Sequence, residues 1–193
     1  MSKPLTAAEK SLLLRLARAV VTAGAHGEPL PEPAALGPLT ASLQENRGAF
    51  VTLHLVTPHH GCQLRGCIGY IEDVKPLADA IVDNALSAAF KDPRFTPVTD
   101  DELEDLEIEI SALTPLRAVG SWRDIQVPRH GVVLTRGTSK SVFLPQVAEE
   151  QGWDRDTLLS HLALKAGLSP DAWREGAAFQ VFEADVFSEK ELA

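Results

Sequence analysis

Three patterns in the chain predict an α+β fold built on a mainly antiparallel sheet with packed helices. Two segments repeat apolar residues at helical spacing, Leu12, Leu13, Leu16, Ala19 and Val20 in one and Leu77, Ala80, Ile81, Ala85, Leu86, Ala88 and Ala89 in the other. Between them, Phe50 to Val56 and Gln63 to Ile71 read as a hairpin around the turn chemistry of Thr57-Pro58-His59-His60-Gly61. The remaining β-regions follow one another as a meander, without the regular strand–helix alternation of a parallel doubly wound sheet.

Taken in order, Thr6-Ala7-Ala8-Glu9 has the form of a capping box and starts a helix running toward Gly24. Pro29, Pro31, Pro33 and Pro38 forbid a regular helix over 28–38, which reads as an extended surface crossover. Pro76 suits the first position of the second helix, which should pack on the Leu64/Ile68 face of the hairpin. Residues 92–97 are irregular, and the acidic stretch 100–105 is a short helix or turn. Leu106, Ile108, Ile110 and Ala112 alternate with Glu107, Glu109 and Ser111, predicting a strand with carboxylates on its non-core face. Two short strands follow, over 131–135 and 141–144, around a turn containing Gly137. Helices are expected from Pro145 to Glu150, from the Asp154 cap to Lys165, and from Ser169-Pro170, and the chain should finish on a strand over 179–187.

At 193 residues the chain can bury a hydrophobic core as one domain spanning 1–193. A net charge of −9 argues against a nucleic-acid surface, which needs clustered Lys and Arg. Neither a signal-like apolar core near the N-terminus nor a run of ~20 apolar residues is found, so a cytosolic protein with no membrane partner is expected. Cys62 and Cys67 are the only cysteines. In one continuous strand, five positions apart, they would face opposite ways and remain free thiols.

The chemistry-bearing stretch is Leu64-Arg65-Gly66-Cys67-Ile68-Gly69. With period two, Arg65 and Cys67 share a face, so the guanidinium lies roughly 6–7 Å along the strand from the thiol and favours thiolate. Gly66 and Gly69 leave the backbone open to a ligand, or else mark a bulge or close packing around a structural cysteine. Arg94 follows a proline and has the geometry to take a carboxylate or phosphate, or to staple its loop to the sheet. Glu109 can orient Arg65 or act as a base, and His130 before a glycine can move a proton near neutral pH. His59, His60 and Cys62 suggest zinc only weakly, because a second ligand pair is missing, and no metal site is assigned.

The hexapeptide, together with Ala88-Ala89-Phe90-Lys91-Asp92-Pro93-Arg94-Phe95, Glu109-Ile110-Ser111, His130-Gly131, Leu144-Pro145-Gln146-Val147-Ala148 and Lys165-Ala166-Gly167-Leu168, resembles the AMMECR-type family, the AmmeMemoRadiSam system protein A, over roughly Leu5 to Phe187. The resemblance implies an α+β fold with a larger and a smaller subdomain and a cleft near the hexapeptide. It also implies association with a Memo-like protein and a radical S-adenosylmethionine protein. It settles neither a reaction nor a cofactor. Where many relatives carry a Cys just before Lys-Ala-Gly-Leu, this chain has Ala163-Leu164.

Two classes of function follow. In the first, a small anionic molecule is handled in a cleft where Cys67, Glu109 and His130 are catalytic and Arg65, Gly66, Gly69 and Arg94 bind it. In the second, the chain is a non-catalytic interaction module and the hexapeptide is a structural strand and binding edge. A depressed thiol pKa favours the first, and an inert Cys67 beside an exposed apolar patch favours the second.

Overall fold

Thr6 caps the first helix as its sequence requires: the hydroxyl oxygen accepts from the Glu9 N–H at 3.3 Å, and the Glu9 carboxylate accepts from the Thr6 N–H at 2.7 Å. In the computed structural model, which describes residues 4–58 and 61–192, this helix α1 spans Ala7–His26. It therefore runs past Gly24. A Cβ on Gly24 would sit 2.4 Å from the Phe90 ring, so that glycine serves helix packing, and the helix stops at Gly27 with φ of 69°. The crossover after it is broken by a 3₁₀ turn at Pro33–Leu36, followed by the short α2 at Ala41–Gln44.

The hairpin is β1, Ala49–Thr57, with β2, Gly61–Tyr70. After it come α3 at Leu77–Phe90, a 3₁₀ turn at Asp100–Glu102, β3 at Leu106–Leu113, β4 at Arg117–Val119, β5 at Gly131–Arg136 and β6 at Ser139–Phe143. The chain ends with α4 at Pro145–Glu150, α5 at Arg155–Lys165, β7 at Ala178–Phe182, β8 at Ala184–Ser188 and α6 at Glu189–Leu192. The expected helix at Ser169-Pro170 is instead a pair of turns closed by Ala172 N–H to Ser169 C=O and Arg174 N–H to Asp171 C=O. Trp173, 1% exposed in the core with its indole N–H on Ser160 Oγ, anchors them. The single final strand is two strands, because Glu183 exchanges bonds with Thr114, through its C=O and N–H, and separates β7 from β8.

The chain forms two compact units, 1–113 with 185–193, and 114–184. In the first, an antiparallel sheet of order β2-β1-β3-β8 packs α1 and α3 against Val51, Leu53, Ile108 and Ile110, all fully buried. In the second, a sheet of order β4-β7-β5-β6 packs α5 around Trp173, Leu159, Val132 and Leu134. The classification is thus α+β with antiparallel sheets. Among the described residues no helix is long and apolar enough to cross a membrane.

One irregularity shapes the hairpin. Leu53 pairs with Gly66 and His54 with Leu64, so Arg65 is an extra residue in β2, a β-bulge. The bulge shifts the side-chain alternation by one. Ile68 still packs toward the core, whereas Leu64 turns to the opposite face and is 42% exposed, so α3 packs on Gly66 and Ile68 and not on Leu64. Cys62, opposite Val56, and Cys67, opposite Thr52, consequently share a face. Their partners are four residues apart on β1, roughly 13 Å, which keeps both thiols free.

A Cβ on Gly66 would lie 2.1 Å from the Ala88 carbonyl oxygen, a backbone group that cannot move aside. Gly66→Ala should therefore destabilise the fold by about 3 kcal/mol or more in urea unfolding. Gly120→Ala, whose new Cβ would meet nothing nearer than Asp124 Oδ2 at 4.0 Å, should stay within about 0.5 kcal/mol of the parent. Equal midpoints for the two would contradict this packing.

Candidate functional site

Cys67 lies in a cross-strand row on the face of the first sheet turned away from α3. Thr52 stands opposite it on β1, and Glu109 stands opposite Thr52 on β3. Side chains so paired are neighbours. The Thr52 hydroxyl donates to Cys67 Sγ at 3.3 Å. Cys67 and Glu109 are half-buried and Thr52 is buried.

Asp92 is the centre of this arrangement. Its carboxylate, on a residue 4% exposed, accepts the Cys67 N–H at 2.9 Å, the Arg94 N–H at 3.1 Å, Arg94 Nε at 2.9 Å and Arg94 Nη2 at 2.6 Å. The bond to the Arg94 N–H is a local Asx turn. The bond from Cys67 covers the amide that an edge strand would otherwise present to solvent. Arg94 is held on one side while its side chain stays 53% exposed, and Nη2 also reaches the Cys67 carbonyl at 3.4 Å.

Arg65, the bulge residue, points its guanidinium along a different path. Nε and Nη2 donate to Glu102 at 2.7 and 3.0 Å, Nη1 to the Thr96 carbonyl at 2.9 Å and Nη2 to the Pro97 carbonyl at 3.4 Å. Glu102 belongs to a Thr99–Glu102 capping box, so the same carboxylate closes its own turn and grips the strand. Phe95 lies beneath both guanidiniums, 6.0 Å from Arg65 Cζ and 5.3 Å from Arg94 Cζ.

The thiol is shifted upward. Burial is the largest cause; the Thr52 hydroxyl and then the Arg94 charge pull the other way, and Asp92 and Glu109 add to the rise. Arg65, already engaged by Glu102, is not among the charges acting on the thiol; Arg94 is the cation that does. The Asp92 carboxyl is driven far below the usual range, chiefly by the Arg94 hydrogen bonds, and Glu102 is lowered chiefly by Arg65.

Of the two readings of the glycines, ligand space or close packing, the structure has close packing. Gly66 faces the Ala88 carbonyl, and a Cβ on Gly69 would sit 2.3 Å from the Phe50 ring. His130 belongs to the second unit, where it is 5% exposed, accepts the Gln126 N–H on Nδ1 at 3.1 Å and is shifted downward by burial, Arg117 and Arg129. His59 and His60 lie outside the described residues, and among those described no group of His, Cys, Asp and Glu is placed to hold a metal ion. The structure thus brings Cys67, Glu109 and Arg94 to one neighbourhood and adds Asp92, Thr52 and Glu102. Sequence carried signals for two of these additions, the Asp-x-Arg turn and the Thr-x-x-Glu box, but none for the pairing of Thr52 with Cys67.

Because the folded Asp92 pKa lies below its unfolded value of ~3.9, its contribution is complete above that pH and is lost as pH falls through the folded value. Asp92→Asn should lower stability at neutral pH by about 1–3 kcal/mol and flatten the loss seen below about pH 4, read by urea unfolding across pH. A variant with unchanged stability and an unchanged acid limb would remove Asp92 from this role.

Comparison with known proteins agrees with this architecture. Protein MK0488 of Methanopyrus kandleri is 44% identical, covering 99% of this chain and 93% of its own. Protein MJ0810 of Methanocaldococcus jannaschii is 40% identical, covering 97% and 93%. The crystal structure of the uncharacterized protein PH0010 from Pyrococcus horikoshii matches with a TM-score of 0.81 at 37% identity, over 92% of this chain and 90% of that one. The AMMECR1 family model matches residues 14–187, and the chain belongs to the AMMECR1 family.

Proposed function

We propose that this chain is a non-catalytic protein-interaction module in which the Leu64–Gly69 strand is structural. The observation that carries this reading is the inward use of every distinctive group in the motif. Arg65 spends its donors on Glu102 and two carbonyls, the Cys67 amide is on Asp92, its thiol is raised, and both glycines seat other parts of the protein. A protonated, half-buried thiol is a poor nucleophile at neutral pH.

The complementary feature lies at the hairpin end of the same face. The bulge turns Leu64 and Cys62 outward beside His54 and Val56, and Val56 and Leu64 are 41% and 42% exposed. Adjacent aliphatic side chains on an edge hairpin suit a partner surface. The partners that the family resemblance implies, a Memo-like protein and a radical S-adenosylmethionine protein, are the ones to test.

A second reading is favoured by Arg94, whose guanidinium is anchored by a buried carboxylate yet half exposed next to Cys67, Thr52 and Glu109. Here Arg94 takes an anionic group of a small molecule, Cys67 anchors it and Glu109 moves a proton, with Arg65 positioning the strand.

Titrating the purified Memo-like and radical S-adenosylmethionine proteins from the same genome onto the immobilised chain separates the two. The module reading expects binding that Cys67→Ala leaves within about twofold and that Val56→Glu with Leu64→Glu weakens by about tenfold or more. Absence of binding to either protein, or a chemical activity abolished by Cys67→Ala in a folded variant, would overturn it.

A further inference from the structure

The second unit carries a cluster of basic side chains outside the Cys67 neighbourhood. In its sheet Arg117 on β4 stands opposite Val181 on β7, and Val181 stands opposite Val132 on β5. His130 and Glu183 lie two residues beyond Val132 and Val181, one step past the paired Gly131 and Phe182. His130 and Glu183 lie just outside β5 and β7, and Arg117, Arg129 and Glu183 all act electrostatically on His130, which gathers these side chains at that end of the sheet. Arg129, next to His130, reaches the same place, since its Nε and Nη2 lie 3.0 and 2.8 Å from Glu183 Oε1.

His130 is the buried member, 5% exposed. Its Nδ1 accepts the Gln126 N–H at 3.1 Å, which leaves the proton of the neutral ring on Nε2. Among the described residues Nε2 makes no hydrogen bond, and it is not one of the fully buried unpaired atoms, so the largely buried ring turns this N–H to the surface. The Arg117 side chain is exposed and makes no hydrogen bond or ion pair among the described residues. Both Arg117 and Arg129 act on His130 electrostatically, and Glu183 opposes them. Two guanidiniums against one carboxylate leave a local positive excess in a chain whose net charge is −9.

From these groups we infer that the Arg117/His130 rim binds a small oxyanion, a carboxylate or a phosphate, accepted by His130 Nε2–H and the Arg117 guanidinium with Arg129 beside them. A neutral imidazole donor fixed by a backbone amide, paired with an uncommitted guanidinium, supplies charge-assisted bonds and needs no rearrangement of the buried ring. This site is independent of the interaction-module reading.

The test is ¹⁵N NMR of the histidine side chains of the full chain at neutral pH, titrated with inorganic phosphate and separately with acetate at constant ionic strength, with chloride as the control. His130 signals are assigned by their loss in His130→Gln. The inference expects a saturable shift at His130 Nε2 with phosphate, acetate or both, the responding anion naming the ligand class. Arg117→Ala, which removes an exposed side chain with no hydrogen bond or ion pair among the described residues, should weaken that binding by about tenfold. If neither anion shifts His130 beyond the chloride control, or if Arg117→Ala titrates like the parent, the inference falls.

Discussion

The extra residue at Arg65 is the constraint from which the geometry of the first sheet follows. A strand with strict two-residue alternation would keep Leu64, Gly66 and Ile68 on one face and Arg65 with Cys67 on the other. The bulge leaves Arg65 out of the ladder, and while Gly66 stays with Ile68 on the α3 side it sends Leu64 and Cys62 to the opposite face. Losing one residue of pairing is offset because the freed side chain makes charge-assisted bonds to Glu102 and two more to the Thr96 and Pro97 carbonyls.

Two arginine–carboxylate pairs then tie the segment after α3 to the exposed edge of β2. Asp92 with Arg94 holds the Cys67 amide, and Glu102 with Arg65 holds the bulge, with Phe95 between the two cations. Both carboxylates are buried or partly buried and both are shifted downward, so the pairs differ from solvated surface ion pairs that contribute little. At the thiol the balance goes the other way. One nearby guanidinium and one hydroxyl do not overcome burial together with the charges of Asp92 and Glu109, and the neutral thiol is favoured.

Most of the architecture is legible in the sequence because it rests on local signals. The Thr6/Glu9 box, the alternation of β3, the Asp154 cap and the apolar face of α3 each announce their element and appear where those signals place them. What is not legible depends on non-local pairing. Gly66 signals a bulge as one of its readings, but nothing local says that Arg65 is the extra residue, and so the orientation of Leu64, the shared face of the cysteines and the engagement of Arg65 by Glu102 could not be read in advance. Sequence leaves the glycines as either ligand space or close packing; the structure shows close packing, against the Ala88 carbonyl and the Phe50 ring. Asp92 is visible as a turn residue, but its grip on Cys67 joins residues 25 positions apart.

The central claim is that Cys67 is a packed, protonated thiol within a structural clamp. The pH dependence of Cys67 alkylation in the Cys62→Ala background, followed by intact mass, measures this directly. The account predicts slow labelling at neutral pH, with a rate that rises only above the ordinary cysteine value of ~8.5. Rapid labelling that has already reached its plateau below about pH 7 would show a tuned thiolate and contradict it.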